Sequence, residues 1–210
     1  MTAAPAPRRG RPRSERAQAA ILHASAELIL DHGLGDVSMD TIAERAGVSK
    51  ATIYRWWPTK EALALDALYT EWEPPEPTDT GTLRGDLLDL LLPWVRLVRA
   101  RPYGRVIGTF ITKAHSDPGF AAEYVSRVVE PRRDAARALF ARAVERGEIP
   151  AGTRVEVVLD LLYGALYHRL LHGHLPLTDG FVADVVDLAL DGVHGHTGSE
   201  VRRADDRPQS

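Results

Sequence analysis

The chain has 210 residues, 44% of them hydrophobic and 26% charged, with a formal net charge of −3 and no cysteine. A chain of this length can bury a sizeable core, as one large domain or two modest ones. The lack of cysteine excludes disulfides, thiol redox sensing and cysteine-ligated zinc, and a reducing cytoplasm is the expected location. The sequence contains no uninterrupted run of about 18 apolar residues, so no transmembrane helix is predicted. The first residues lack the apolar core of a signal peptide.

Arginines are concentrated near the N-terminus, in the segment Arg8 to Arg13. Residues 1–60 carry nine Lys or Arg against six Asp or Glu, a net of +3, whereas the other 150 residues carry 17 against 23, a net of −6. One basic end suits a protein that presents that end to a polyanion. Residues 1–13 are predicted to form a disordered arm in which Arg11 and Arg13 contact nucleic acid. The arm resembles the Arg-Gly-Arg-Pro core of an AT-hook, which enters a narrow A·T minor groove; a solubilising arm fits the composition equally well.

The next segment predicts a first helix. Ser14 is a candidate N-cap, Ala17, Ile21, Ala24 and Leu28 recur on one face, and Gly33 follows the last residue, His32.

The segment from Val37 to Leu63 then predicts two short helices joined by a tight turn. Ser38 can cap the first helix, whose inner face carries Met39, Ile42, Ala43 and Ala46. Gly47 ends that helix, because glycine adopts positive φ at little cost. Ser49 can cap a second helix over residues 50–56. This is the connection length of a DNA-binding helix pair.

The second of these helices has one apolar and one polar face. Ile53 and Trp57 are expected to face the core. The exposed face carries cations, a hydroxyl and aromatic tips, which suit phosphates and base edges: Lys50, Thr52, Tyr54, Arg55 and Trp56. Thr59 then caps a further helix running to about Trp72, at whose start Lys60 and free N–H groups could hold a phosphate.

These residues resemble the TetR family of transcriptional regulators. The resemblance rests on Ile42-Ala43-Glu44-Arg45-Ala46-Gly47-Val48-Ser49, on Thr52-Ile53-Tyr54 and on Trp57-Pro58-Thr59-Lys60-Glu61-Ala62-Leu63. It implies that Thr52 and its neighbours read bases, while Tyr54 and Lys60 grip phosphates. Trp56 departs from the pattern, since many members carry histidine or a smaller polar residue there, and its contact stays open. The predicted DNA-binding residues are Arg11, Arg13, Thr41, Ser49, Lys50, Ala51, Thr52, Tyr54, Arg55, Trp56 and Lys60.

A proline-rich break at residues 73–81 separates this region from further helices. These are predicted over residues 83–100, 103–114, 118–146, 154–172 and 178–193, with caps at Asp117, Thr153 and Thr178. Pro93 and Pro131 lie inside two of them and predict kinks or breaks. The expected fold is all-α with about nine helices and no strands. The predicted division is a basic arm (1–13), a helix-turn-helix domain (14–73), a ligand-binding and dimerisation domain (74–194) and a disordered tail (195–210).

The last two helices are apolar around much of their circumference, which predicts cover on two sides. Val157, Leu161, Gly164 and Ala165 widen the apolar stripe of the first of them. The segment from Arg146 to Leu170 also looks like one C-terminal subtype of the TetR family, whose corresponding helices form a four-helix dimer contact. A purely intramolecular core is the alternative. The predicted interface residues are Leu162, Ala165, Leu166, Arg169, Leu170, Phe181, Val185 and Leu188.

Large apolar residues lie between the proline-rich break and the predicted interface, and a few of them or their neighbours end in polar groups. Such a combination predicts a pocket for a small molecule. The same residues describe an ordinary helical core equally well. The predicted pocket residues are Trp72, Trp94, Tyr103, Ile107, Phe110, Ile111, His115, Phe120, Tyr124 and Tyr163.

Metal and enzyme functions have little support in the sequence. His168, His172 and His174 have i, i+4 and His-x-His spacing, but no acidic or cysteine partner lies at matching spacing. There is no glycine-rich phosphate loop and no His-Glu-x-x-His motif, so no cofactor, metal site or catalytic unit is predicted.

The predicted function is therefore a ligand-responsive transcriptional repressor in the bacterial cytoplasm. It would bind a near-palindromic operator as a homodimer, at the nucleoid, and be released by a small molecule. A constitutive DNA-architectural protein without a ligand is the main alternative. A small-molecule-binding protein that has lost DNA binding is a weaker one, because the face from Lys50 to Lys60 is intact.

Overall fold

The computed structural model describes residues 11–71, 78–100 and 103–195, and within these the side chains of residues 15–68, 78–100 and 103–193. All regular elements in these ranges are helical. They are α1 (Arg11–His32), α2 (Met39–Ala46), α3 (Lys50–Tyr54), α4 (Lys60–Glu71), α5 (Leu83–Ala100), α6 (Tyr103–Ser116), α7 (Pro118–Tyr124), a π segment (Val125–Val129), α8 (Glu130–Glu145), α9 (Val155–His172) and α10 (Asp179–Gly195). Because α7, the π segment and α8 follow without interruption, the described residues form nine helical rods. The prediction of an all-α fold with about nine helices is confirmed.

Most helix starts lie where the sequence predicts them, because the capping side chains are local. Ser38, Ser49 and Asp117 accept hydrogen bonds from backbone N–H groups three residues ahead. Thr59 and Thr178 do the same for α4 and α10. Each such cap contributes about 1 kcal/mol to helix stability.

Two predicted caps are wrong. α1 begins at Arg11, so Ser14 lies inside the helix and residues 11–13 are not a disordered arm. Pro12 is tolerated there because the first helical turn needs no N–H donor. Thr153 bonds the carbonyl of Pro150 at 2.6 Å instead of capping α9, which starts after Arg154 without a side-chain cap. The predicted tail over residues 195–210 lies outside the described residues, except for Gly195, which ends α10.

The chain divides into two compact units that do not follow chain order. The first unit comprises Met1–Pro75 with Arg96–Arg132, and the second comprises Glu76–Val95 with Arg133–Ser210. The division into functional domains on either side of residue 73 stays a prediction.

In the first unit, α1 packs against α2 and α4. Ile21 of α1, Ile42 of α2, Ile53 of α3 and Leu63 of α4 are completely buried and form its core. The stripe predicted on α1 is confirmed at Ile21, Ala24 and Leu28.

Of the kinks or breaks predicted at the two internal prolines, breaks do not occur, because neither proline ends its helix. α5 continues through Pro93. Pro131 has no N–H to donate to the carbonyl of Arg127. The chain accommodates it with the π segment directly before, in which the N–H of Glu130 bonds the carbonyl of Val125. This five-residue spacing widens the helix where an α-helical carbonyl would meet the proline ring.

In the second unit, Leu83, Leu139, Leu159 and Val182 are completely buried. The carboxylate of Asp86 is also buried among them. No helix in the described ranges is long and apolar enough to cross a membrane.

Candidate nucleic-acid interface

α2 and α3 form a tightly joined pair whose turn is fixed by backbone hydrogen bonds. Gly47, with φ of 65°, ends α2 in the left-handed region. The N–H groups of Gly47 and Val48 donate to the carbonyls of Glu44 and Ala43 at 3.2 and 3.0 Å, which is the Schellman arrangement. Ser49 then caps α3 by accepting from the N–H of Thr52 at 3.2 Å. The angle at which α3 leaves α2 is therefore determined by local bonds.

α3 presents a polar face and buries an apolar one. Ile53 and Trp57 are buried at 0% and 3% exposure, as predicted. The opposite side exposes Ser49, Lys50, Ala51, Tyr54 and Arg55, while Thr52 and Trp56 are half-buried. This set offers an ammonium, a guanidinium, hydroxyls and a phenol on one surface, which is the donor chemistry that base edges and phosphates accept.

The helix itself is shorter than predicted, ending at Tyr54 instead of Trp56. Arg55 occupies the C-cap position. The N–H groups of Trp56 and Trp57 both donate to the carbonyl of Ile53 at 3.0 Å, so the last turn tightens. The guanidinium of Arg55 lies 4.8 Å from the ring centre of Trp56, at cation–π distance.

Two of the predicted DNA-binding cations, Lys50 and Lys60, have partners within the protein. The ammonium of Lys50 forms an exposed ion pair with Asp40 of α2 at 2.8 Å. The hydrogen bond to Asp40 raises the pKa of Lys50, so the side chain keeps its charge. The ammonium of Lys60 donates to the carbonyls of Val37 and Gly35, at 2.7 and 3.4 Å.

The remaining predicted residues lie in the first turns of α2 and α1. Thr41 is exposed on the first turn of α2, where its N–H donates to Ser38 at 3.1 Å. Arg11 and Arg13 lie in the first turn of α1, and their side chains fall outside the described residues.

The predicted pocket residues fall into both units. In the first unit, the rings of Phe110, Phe120 and Tyr124 lie 5.7 to 6.4 Å apart. Tyr103 and Ile107 are also buried in this unit.

Two other predicted pocket residues of the first unit are less enclosed. Ile111 is half-buried, whereas His115 is exposed and its Nδ1 contacts the carbonyl of Ile111 at 2.8 Å. His115 therefore bonds its own helix instead of pointing a polar tip into a core.

In the second unit, Trp94 is buried and its ring lies 5.4 Å from that of Tyr167, while Tyr163 is half-buried. Trp72 lies outside the described residues.

The predicted interface residues on α9 and α10 differ in exposure. Leu162 and Leu166 are buried within the single chain, at 1% and 0% exposure, so they belong to its core. Leu188 is 72% exposed. Five other predicted residues are half-buried: Ala165, Arg169, Leu170, Phe181 and Val185.

Two side chains that the interface prediction omitted lie near Leu188. Val157 and Leu161 are 41% and 60% exposed, and all three line a cavity of about 500 Å³ between α9 and α10. No predicted pocket residue lines this cavity. A helical wheel marks Val157 and Leu161 as apolar, but their exposure depends on which face of α9 meets α10.

The histidines at the end of α9 cluster without forming a metal site. The ring of His168 lies 4.7 and 4.8 Å from those of His172 and His174. Among the residues that the structure describes, no group of three or more His, Cys, Asp or Glu could hold a metal ion.

The chain matches two family descriptions that together span most of its length. Residues 21–67 match "Bacterial regulatory proteins, tetR family", and residues 77–189 match "Tetracyclin repressor-like, C-terminal domain". The first match contains α2, α3 and the start of α4.

Individual proteins match over nearly the whole chain. An uncharacterised HTH-type transcriptional regulator, YdeS of Bacillus subtilis, is 38% identical over 92% of this chain and 98% of its own. The DNA-binding transcriptional repressor TetR of Mycobacteroides abscessus is 32% identical over 83% of this chain and 92% of its own. The crystal structure of the TetR family transcription regulator SCO0332 superposes with a TM-score of 0.72 at 38% identity, covering 85% of this chain and 98% of that one.

Proposed function

Since this chain belongs to the TetR family of DNA-binding transcriptional regulators, we propose that it is a repressor that leaves its operator when a small molecule binds. The main support for DNA binding is the exposed polar face of α3. Its side chains project from a helix whose start and orientation are fixed by hydrogen bonds at the caps. The repressor role is supported by the name of the Mycobacteroides abscessus relative. The regulator would act in the cytoplasm, where it would bind the nucleoid.

Within this surface, each side chain has a proposed role. Thr52, Ala51 and Lys50 face base edges in the major groove, where hydrogen bonds and methyl contacts discriminate bases. Tyr54 and Lys60 hold phosphates, which set the register but carry no sequence information directly. Arg55 and Trp56 would meet the backbone beside the groove, with Thr41 and Ser49 at the start of each helix. Arg11 and Arg13 would contact DNA from the start of α1.

A homodimer is proposed because one helix-turn-helix reads only half of a palindrome. Two copies would present two α3 helices about 34–36 Å apart to successive major grooves. Exposed Leu161, Leu188 and Val157 support α9 and α10 as the shared face, since clustered apolar side chains on a surface mark interaction sites. In this proposal, the half-buried residues Ala165, Arg169, Leu170, Phe181 and Val185 complete the contact, while Leu162 and Leu166 support it from beneath.

The proposed ligand site is the aromatic cluster of the first unit. Phe110, Phe120 and Tyr124, with Tyr103 and Ile107, offer an apolar lining and phenol groups, which suits an apolar molecule with one or two polar groups. Such a ligand would act by favouring a tilt of α4 that α3 follows. Coupling between two sites is typically about 1–3 kcal/mol and must be reciprocal.

Titration of the purified protein against random and selected double-stranded DNA tests the function. We expect the selected operator to bind at least ~10³-fold more tightly than random DNA at fixed salt. A ratio near one would reject the proposal and favour a constitutive DNA-architectural protein.

A second experiment tests the ligand. Small molecules would be screened by thermal shift, and the affinity of the protein for each hit would be measured with and without operator. For an inducer, operator DNA must lower the affinity of the protein for the ligand by the same factor by which the ligand lowers its affinity for the operator.

A further inference from the structure

A buried tryptophan at the end of α3 is held by a carboxylate on α4. The indole Nε1 of Trp57 donates to Oδ2 of Asp66 at 2.5 Å. The side chain of Trp57 is only 3% exposed. A buried indole N–H needs an acceptor, because an unpaired buried donor has lost its hydrogen bond to water without a replacement. Asp66 therefore fixes the orientation of the side chain that closes the recognition helix.

The same carboxylate has a second partner in the π segment. Its Oδ1 forms an ion pair with the guanidinium of Arg127, whose NH1 group also donates to Glu123 at 2.8 Å. Asp66 and Arg127 are 26% and 35% exposed in their side chains. An ion pair so shielded from water is less screened than an exposed pair. One carboxylate thus joins α3, α4 and the π segment, all within the first unit.

The π segment makes a wider turn than an α-helix does. Its hydrogen bond from Glu130 to Val125 spans five residues instead of four, and Pro131 gives the reason for the widening. Arg127 lies in the middle of this widened turn, where its guanidinium reaches Asp66 of α4.

Trp57 is connected to α4 by its side chain and to α3 by its backbone. Its N–H donates to the carbonyl of Ile53 at 3.0 Å, so a shift of the indole acts directly on the last turn of the helix. Ile53 itself is completely buried. A displaced Trp57 would therefore weaken the packing of Ile53, the buried residue that holds α3 in place. The exposed face of α3, with Thr52 and Tyr54, would then lose its fixed position.

We propose that Asp66 is a positioning residue that couples the π segment to the recognition helix through Arg127 and Trp57. With Arg127 on Asp66, the indole is held and α3 keeps the orientation that DNA requires. Without Arg127 on Asp66, the indole and the end of α3 lose that restraint. The proposal rests on the proposed DNA-binding function, but its structural half concerns the protein alone and can be tested without DNA.

The first experiment measures hydrogen exchange of the backbone amides in residues 50–57, without DNA. Arg127→Met keeps an unbranched apolar stem but removes the charge, and Arg137→Met is the matched control. Arg137 also carries an ion-pair network, with Glu156 and Asp134, but lies in the second unit. We expect exchange at residues 50–57 to rise at least ~5-fold in Arg127→Met, with no such change in Arg137→Met. Equal protection in both variants would overturn the proposal.

The second experiment is a double-mutant cycle on operator affinity. Trp57→Phe removes the indole donor and keeps a ring, and Arg127→Met removes the cation. Residues that share a partner couple, whereas independent sites add. We expect each single variant to weaken operator binding several-fold, and the double variant to weaken it by much less than the product. Affinity losses that multiply would overturn the shared role of Asp66.

Two further readouts separate positioning from other causes. Because Arg127 acts through Asp66 and not on phosphate, the salt dependence of DNA affinity should stay at the wild-type slope in Arg127→Met. A shallower slope would show a direct phosphate contact and overturn the proposal. Arg127→Lys, which can still pair with Asp66, should recover protection at residues 50–57; failure to recover would count against the ion pair. If the wild-type protein binds no operator, the proposed function fails, while the exchange experiment still decides the restraint on α3.

Discussion

The ammonium of Lys60 donates a hydrogen bond of 2.7 Å to the carbonyl oxygen of Val37. Val37 directly precedes Ser38, the N-cap of α2. The first residue of α4 therefore bonds the backbone immediately before α2, the first helix of the helix-turn-helix. An ammonium has three donors, so a phosphate can bind beside the carbonyl without breaking this bond.

Lys60→Ala should weaken binding to every DNA sequence by a similar factor. The salt slope should become shallower by about one, since one phosphate contact is lost. Lys113→Ala is the control, because Lys113 lies on α6, pairs with Asp117 at the N-cap of α7 and is not part of the proposed surface. Fluorescence anisotropy at several salt concentrations measures both quantities, and an unchanged slope in Lys60→Ala would rule out the phosphate contact.

Thr52→Ala should change the preference among operators, whereas Tyr54→Phe should weaken all of them alike. The Thr52 hydroxyl contacts Ser49 at 2.9 Å, but the cap depends on the Thr52 N–H, so the alanine variant keeps its helix start. A lost base contact costs about 1–3 kcal/mol of discrimination. Selection of binding sites from a random library compares the variants, and an identical preferred site for Thr52→Ala would exclude this residue from base reading.

Deletion of residues 1–10 should lower DNA affinity, because Arg8 and Arg9 are lost. It should leave the melting temperature unchanged, because this Pro- and Arg-rich segment offers little apolar surface to a core. If the arm enters the minor groove, the loss should be greater for operators flanked by A·T pairs, whose narrow groove attracts arginine. Binding assays with A·T and G·C flanks provide the comparison. Equal losses would reduce the arm to a general phosphate contact.

Asp86→Asn should destabilise the second unit at neutral pH. The carboxylate accepts the N–H and hydroxyl of Thr80 at 2.7 and 2.8 Å and faces Arg142 and Arg146 at 3.4 Å. Burial alone would raise the pKa of Asp86, but these bonds and charges outweigh it and lower the pKa below 3.8. Breaking such a buried arrangement costs on the order of 3 kcal/mol.

The pH dependence of this effect has a definite sign. Because the folded-state pKa is lowered, the stabilisation is complete above the ordinary pKa of 3.8 and is lost as pH falls through the folded value. Denaturant unfolding of wild type and Asp86→Asn should therefore converge at acid pH. Asp134→Asn, at an exposed carboxylate, serves as control. A gap that persists unchanged at low pH would exclude ionisation of Asp86 as its cause.

Leu188→Asp should shift the proposed homodimer towards monomer, because a charge would be buried at the proposed α9–α10 contact. Leu175→Asp is a matched control, since Leu175 is 51% exposed but lies in the connection between these helices. Sedimentation velocity gives the oligomeric state, and operator affinity should fall with the dimer. A Leu188→Asp protein that stays dimeric would move the interface elsewhere.

The helix-turn-helix could be predicted from the sequence because its signals are local. Ser38, Gly47 and Ser49 act on backbone groups within four residues of themselves, and Ile53 with Trp57 marks the buried face by spacing alone. The same locality explains the wrong helix start at Ser14, where Pro12 allows an earlier first turn that no periodicity reveals. The roles of the exposed residues in reading DNA stay predictions, since chemistry on a surface does not identify its partner.

Contacts between residues far apart in the chain were decided only by the tertiary structure. Leu162 and Leu161 are neighbours of equal hydrophobicity, yet one is core and the other exposed, because the packing of other helices against α9 selects its buried face. Likewise, no local pattern joins Asp66 to Arg127. The sequence determines which segments become helices and which faces are apolar; packing determines which apolar faces are covered and which charges meet, since both depend on how helices far apart in sequence come together.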